Sequence, residues 1–198
     1  MRRAPTPADP TQRWLTFLRN HREAIAAIGF FTAPTITFNL LFVFFIISHD
    51  RRRVLHFNVT SHPTSLWIVQ QLREAFPFEP SAKFLILDHN AKYGTEVPTA
   101  LRSMEITPLR TPIGCPWQNG VAERWVGNCR RELLDHVIAI NSSHTKRLLA
   151  SYRLLSPRPH PLRTPKQTPD ERTRCAARGK VISWPRVGGL HHRYDHAA

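Results

Sequence analysis

Cysteine is scarce in this chain, which holds three among its 198 residues and no CxxC pair. Cys115, Cys129 and Cys175 are odd in number and far apart, which argues against a disulfide framework and against a zinc site made of thiolates. The 11 histidines include the adjacent His191 and His192, but no further ligands at zinc spacing accompany them. The cysteine content fits a reducing compartment.

Acidic residues are also few, because 14 Asp and Glu stand against 28 Lys and Arg, for a net charge of +14 and an isoelectric point near 11.1. Such an excess favours a polyanionic partner, most commonly nucleic acid, although an anionic membrane surface attracts the same sign. The 8 glycines form no Walker-type phosphate loop, and there is no sign of a small-molecule substrate. Charge alone predicts binding to phosphate backbones, not the reading of a base sequence.

A long apolar run is missing as well. The segment 30–48 contains Thr32, Thr35 and Asn39 in its first half, and its strongly apolar part, Leu40 to Ile47, is far shorter than the roughly 20 residues of a membrane span. The Phe, Val and Ile content of this segment favours a buried strand. A membrane helix followed by a basic flank is the alternative, and we expect no membrane association.

The periodicity of the chain predicts a mixed α/β domain. Its first three strands are consecutive and therefore antiparallel, and helices and strands alternate after them. The clearest strand is residues 54–60, VLHFNVT, in which polar and apolar side chains alternate. Residues 14–28 have mixed helical periodicity; the predicted strands are 28–32, 38–48, 54–60, 83–90 and 106–111, and the predicted helices are 62–76, 96–105, about 118–140, and 143–155 with Ser143 as its cap.

Composition divides the chain into three parts. Residues 1–13 form a polar, proline-bearing lead-in, and residues 14–155 carry the predicted domain. Residues 156–198 are rich in proline and arginine at their start and are predicted to form an extended arm and tail. We expect one folded domain with ends that differ from it in composition.

Two of the few acidic residues lie where carboxylates can do chemistry. Asp88 follows the apolar FLIL at the end of a predicted buried strand, a position where α/β proteins place ligand groups. Glu123 lies in the first turn of a predicted helix, where the helix dipole favours a carboxylate. Each position has an ordinary structural explanation when taken alone, as a turn residue or a favourable charge. A helix packed across a sheet edge brings two such groups to one Mg²⁺ or to a metal pair.

Three stretches carry a resemblance to a known family: FLILDHNAKYG around Asp88, PWQNGVAERWVG around Glu123, and RRRVLHFNVTSHPTSLWIVQQLREAF before them. Here the chain resembles the catalytic cores of integrases and insertion-sequence transposases, the DDE recombinases with a ribonuclease-H-like fold, from about Trp14 to the C-terminus. The resemblance implies a mixed sheet flanked by helices and metal-dependent DNA strand transfer. It also implies that Asp88 and Glu123 are the second and third of three acids that bind two divalent cations, Mg²⁺ or Mn²⁺.

The position of the first acid departs from the pattern of this family. That acid should precede FFT in the first strand, where the chain reads AAIGFFTAP and holds Gly29. Glycine has no side chain to bind a cation, and neither Glu23 nor Asp50 is well placed to replace it. We therefore expect strand transfer to be very weak or absent. The alternative is a non-enzymatic, basic DNA-binding remnant, or a modulator of intact transposase copies.

The resemblance also implies that the helix with the third acid faces DNA. The residues expected to contact phosphates or bases are Trp117, Gln118, Asn119, Arg124, Arg130 and Arg131. Alternatively, Trp117 and Trp125 are core aromatics and the arginines form a solvated face. We expect DNA as the partner, assembly of copies of the chain on DNA ends, and a cytoplasmic, nucleoid-associated protein.

Overall fold

The structure is a computed structural model that describes residues 9–50, 52–78, 80–88, 91–112, 116–155 and 181–196. Most of the predicted C-terminal arm, residues 156–180, lies outside these ranges. The helices are α1 (Pro10–Asn20), α2 (Ser65–Ala75), α3 (Glu96–Ser103), α4 (Gly120–Cys129) and α5 (Ser142–Leu155). The strands are β1 (Ile25–Pro34), β2 (Leu40–Ser48), β3 (Val54–Thr60), β4 (Phe84–Leu87), β5 (Thr107–Arg110), β6 (Val181–Arg186) and β7 (His191–His196).

Five of the strands form one mixed sheet in the order β3-β2-β1-β4-β5. The pairs β1–β2 and β2–β3 are antiparallel, and β4 and β5 join parallel to β1 through helical crossovers. The predicted fold class is confirmed, because three consecutive antiparallel strands are followed by alternating helices and strands. The strand β3 has the predicted bounds, whereas β1 is longer at both ends than predicted.

The sheet is covered on both faces. Along β1, Ala27 and Phe31 belong to a cluster with residues of α4 and α5, while Ala26 and Ile28 belong to a second cluster with residues of α2 and α3. Both faces of β2 are likewise buried, which explains its nearly continuous apolar sequence. The segment 30–48 is thus part of β1 and β2, and within the described ranges no helix is long and apolar enough to span a membrane.

Three boundaries differ from the sequence-based expectations. The helix predicted over 118–140 stops early: α4 is followed by a π-helical turn, Arg130–Leu134, because the chain beyond it pairs with the β1–β2 connection, where Ile36 N–H donates to Ala139 O at 2.8 Å. Ser143 does not cap α5, since the Asn141 side chain accepts from His144 N–H at 2.8 Å. The helix α1 begins at Pro10, capped by the Asp9 carboxylate.

The C-terminal residues 181–196, predicted as tail, form an antiparallel hairpin of β6 and β7. Val187 at its turn is buried in the cluster that contains α4 and α5, and His191 Nε2 lies 2.8 Å from Glu132 O. The hairpin therefore packs against the domain. The three-part division of the chain stays a prediction.

We expect His49, in the turn after β2, to make folding sensitive to mild acid. Burial, followed by the nearby Arg52 charge, lowers the pKa of this imidazole from 6.5 to about 4. The unfolded chain therefore takes up a proton that the folded chain does not, so stability is lost as pH falls from 6.5 toward 4. The shift sets an upper bound of about 3 kcal/mol, and partial exposure reduces the expected loss to about 1–2 kcal/mol.

Urea unfolding at pH 7 and pH 4.5, for the wild type and for His49→Gln, measures this effect. The variant should lose less stability over this interval, because glutamine does not titrate. Equal losses in the two proteins would show that His49 is not responsible.

Candidate active site

Gly29 and Asp88 occupy neighbouring register positions on adjacent parallel strands. The β1–β4 ladder pairs Ile25 with Phe84 and continues to Ala27 with Ile86. Two residues further along both strands, the same register places Gly29 beside Asp88. The predicted first and second acid positions are therefore neighbours at the carboxyl end of this strand pair, where α/β folds bind ligands.

Asn119 attaches the start of α4 to the same place. Its side-chain Nδ2 donates to Ile28 O at 3.2 Å. Lys83, just before β4, donates its N–H to Ala24 O. Because carbonyl groups alternate in direction along a strand, Ile28 O, four residues further on, also points toward β4. The Asn119 side chain therefore lies at the boundary between β1 and β4, the β1–β4 seam, and bonds to the residue that precedes Gly29. This position is not evident from the sequence, because Asn119 and Ile28 are 91 residues apart.

Glu123 lies in the first turn of α4, four residues after Asn119. The helix is held to the sheet by Ala122 and Trp125, which are buried, whereas Glu123 is exposed. Within the described ranges the Glu123 carboxylate has no hydrogen bond or ion pair. The fold therefore places positions 29 and 88 side by side at one end of the β1–β4 seam and attaches the start of α4, the helix that carries Glu123, next to them. The roles assigned to Asp88 and Glu123 stay predictions.

Gly29 leaves this arrangement without a third carboxylate. Phe45, its partner in the β1–β2 pair, lies directly over it: a Cβ added to Gly29 would be 2.8 Å from the Phe45 Cζ atom. The aromatic ring fills the space that an acidic side chain at position 29 would need.

The residues present do not fit a pair of divalent cations. Asp88 Oδ1 is buried and has no hydrogen-bond partner among the residues that the structure describes, which suits a ligand atom. Yet no cluster of three or more His, Cys, Asp or Glu side chains suited to a metal occurs in the described part of the chain. Glu23 and Asp50 lie at the opposite end of the sheet, where they line a cavity of about 290 Å³ with Arg53.

Tyr93 is a neighbour of Asp88 that the sequence analysis missed. Its ring is buried below β1, with its centroid 6.2 Å from that of Phe30. Burial raises the pKa of the Tyr93 hydroxyl well above its usual value, and the adjacent Asp88 charge and contact raise it further. Within the described ranges, neither the Tyr93 hydroxyl oxygen nor Asp88 Oδ1 has a hydrogen-bond partner. The only hint in the sequence is an aromatic residue five positions after a strand-end acid.

The predicted nucleic-acid contacts differ in accessibility. Trp117 is 44% exposed, Gln118 is partly buried, and Asn119 is buried with its amide nitrogen bonded to Ile28 O. Trp125 is a core residue. Three arginines are exposed: Arg124, Arg130 and Arg131.

Arg131 donates to Asn128 Oδ1 at 2.8 Å. Arg124 and Arg130 form no ion pair within the described ranges, so α4 and the turn after it present guanidinium groups to solvent near Glu123.

Comparison with solved structures shows what this fold is similar to. A chain of the simian T-cell lymphotropic virus intasome, solved with the PP2A regulatory subunit B56 gamma, matches with a TM-score of 0.55 and 16% identity over 87% of this chain and 66% of that one. The catalytic domain of the Mos1 mariner transposase matches with a TM-score of 0.60 and 11% identity over 76% and 85%. The catalytic core of BIV integrase gives a TM-score of 0.48 and 12% identity over 65% and 82%.

No family model and no curated protein matches the sequence significantly. The structural matches confirm the ribonuclease-H-like fold of integrase and transposase catalytic cores.

Replacing Tyr93 with Phe should reduce the decrease in unfolding free energy at alkaline pH. Because the pKa of this hydroxyl is raised in the folded protein, the unfolded chain ionises first and stability falls above pH 10. By pH 11 the wild type should lose about 1.4 kcal/mol more than Tyr93→Phe. Unfolding free energies at pH 8 and pH 11 test this, and parallel losses in both proteins would contradict it.

Proposed function

We propose that this chain is a DNA-binding protein of the integrase and transposase type that acts in DNA integration or transposition with impaired strand transfer. The arrangement at the β1–β4 seam is the main support. Asp88 lies at one end of that seam, and the start of α4, which carries Glu123, is attached next to it in a fold similar to that of a transposase catalytic domain. Gly29 stands where the resemblance implies the first acid. The match covers 66% of the intasome chain, so any activity that would require a whole protein of that kind is part of this proposal.

DNA affinity would rest on the basic side of α4. A net charge of +14 attracts the phosphate backbone, and Arg124, Arg130 and Arg131 present exposed guanidinium groups close to Glu123. Trp117 adds a half-exposed ring that can stack on a base, and Gln118 an amide that can bond to one. Asn119 is the least accessible of these contacts, because its side chain is already part of the protein interior.

The metal requirement implied by the resemblance would fall on Asp88 and Glu123, with Mg²⁺ or Mn²⁺ as the cation. Two carboxylates without a third do not hold two dications together, so no catalytic step is assigned to them. Copies of the chain would assemble on DNA ends in the cell's nucleoid.

A second candidate function is non-enzymatic: a basic DNA-binding remnant, or a modulator that occupies DNA in competition with intact transposase copies. The filling of the first acid's place by Phe45 favours this alternative. Its distinguishing property is DNA binding that needs no divalent cation.

Removing the two arginines after α4 should weaken DNA binding in a salt-dependent way. For Arg130→Ala with Arg131→Ala, the slope of log affinity against log salt should fall by about 1.8, because each phosphate contact contributes about 0.9. The matched control is Arg73→Ala with Arg102→Ala, which removes the same charge from α2 and α3. Fluorescence anisotropy with duplex DNA measures both, and equal losses would show that charge alone, without a defined surface, binds DNA.

Strand transfer on a labelled DNA end, in Mg²⁺ and in Mn²⁺, should remain at background for the wild type, since Gly29 supplies no ligand. If the non-enzymatic alternative holds, DNA affinity should be unchanged by EDTA. Strand transfer by the wild type that Asp88→Asn abolishes would overturn the proposed impairment. Loss of DNA binding in EDTA would exclude the non-enzymatic alternative.

A further inference from the structure

Phe45 makes the closest approach to Gly29. The two residues face each other in the antiparallel β1–β2 pair, and both are buried. A Cβ added to Gly29 would lie 2.8 Å from Phe45 Cζ and 3.1 Å from Cε1. Carbon atoms in proteins do not pack at the shorter distance, so any side chain at position 29 requires the ring to move.

The Phe45 ring has little freedom to move. It is fully buried, and its centroid lies 4.3 Å from the Trp125 indole and 6.2 Å from the Phe31 ring. Trp125 itself is 5% exposed and belongs to the cluster that holds α4 against the sheet. Turning the ring away from Gly29 would therefore require repacking of Trp125 and of the helix that carries Glu123.

We propose that positions 29 and 45 form a coupled pair, in which Phe45 closes the place of the first acid and an acid at position 29 requires a smaller residue at position 45. The packing part of this inference stands on the geometry alone. Its meaning for metal binding rests on the proposed function. The place of the first acid in this chain is therefore closed by the Phe45 ring, in addition to lacking a carboxylate.

Charge adds to the incompatibility. An aspartate at position 29 would place a carboxylate against the buried Phe45 ring, which offers no hydrogen-bond donor. Replacing Phe45 by alanine removes the ring and leaves room for water or a cation between positions 29 and 88. The change Gly29→Asp alone should therefore not restore the site.

A double-mutant cycle of unfolding free energies, the stability cycle, tests the packing of Phe45 against Gly29. In the wild-type background Gly29→Ala should shift the unfolding equilibrium constant at least tenfold toward unfolding, and in a Phe45→Ala background the same change should shift it less than about twofold. Phe45→Leu, which keeps apolar volume without the ring, serves as a second background if the alanine variant is too unstable. Gly120→Ala is the matched control, because no atom lies within 4 Å of a Cβ added there, and its effect should be the same in every background. Equal effects of Gly29→Ala in all backgrounds would overturn the coupling.

Manganese binding tests the consequence for the site. Electron paramagnetic resonance of free Mn²⁺ should show at least tenfold tighter binding by Gly29→Asp with Phe45→Ala than by Gly29→Asp alone, and Asp88→Asn should remove the gain. Failure of Gly29→Asp to fold while the double variant folds would also support the inference. Measurable Mn²⁺ binding of equal affinity by the single and double variants would overturn it.

The two experiments separate this inference from the proposed function. If the stability cycle shows coupling and neither aspartate variant binds Mn²⁺, Phe45 still closes position 29. In that case the assignment of Asp88 and Glu123 as metal ligands, and with it the catalytic part of the proposed function, fails.

Discussion

The packing of Phe45 against Gly29 and Trp125 is the interaction on which the arrangement of the candidate site depends. It joins β2, a strand buried on both faces, to α4, the helix that carries Glu123, with the Phe45 and Trp125 ring centroids 4.3 Å apart. Because glycine at position 29 has no Cβ, the tip of the Phe45 ring can approach β1 closely while the ring packs against the indole. The position of the helix relative to the seam follows from this packing and from the Asn119 bond to Ile28.

The same packing explains why the protein combines a basic surface with an apolar seam. The sheet is buried on both faces, and the two clusters that cover it consist of apolar side chains. Many of the charged residues lie on exposed helix surfaces, such as Arg124, and in the strand β5 the exposed Arg110 is charged. Among the acids near the seam, Glu123 stays in solvent, while Asp88 turns one oxygen into a buried environment beside Tyr93. Within the described ranges, this end of the sheet has exposed arginines at its edge and too few carboxylate ligands at its centre for a metal pair.

Local sequence patterns predicted the helices and strands in which each face keeps the same environment, core or solvent, along its whole length. The alternation in residues 54–60 predicted β3, and the apolar stripe after Thr64 predicted α2, because period and capping are local properties. The predicted helix over 118–140 was too long, since Ala139 bonds to Ile36, a distant partner that competes with helical hydrogen bonds. The hairpin at 181–196 was not predicted, because its docking through Val187 depends on a surface formed by other elements.

The sequence by itself determined the fold class, the basic charge and the candidate acids Asp88 and Glu123, since these follow from residue type and position in the predicted elements. The assignment of Gly29 to the position of a first acid came from the resemblance to integrase and transposase cores and stays a prediction. Only the tertiary structure placed Asn119 at the β1–β4 seam, Tyr93 beside Asp88 and the ring of Phe45 in the space above Gly29. These contacts join residues that are distant in sequence, and packing of side chains from both faces of the sheet decides which atoms meet.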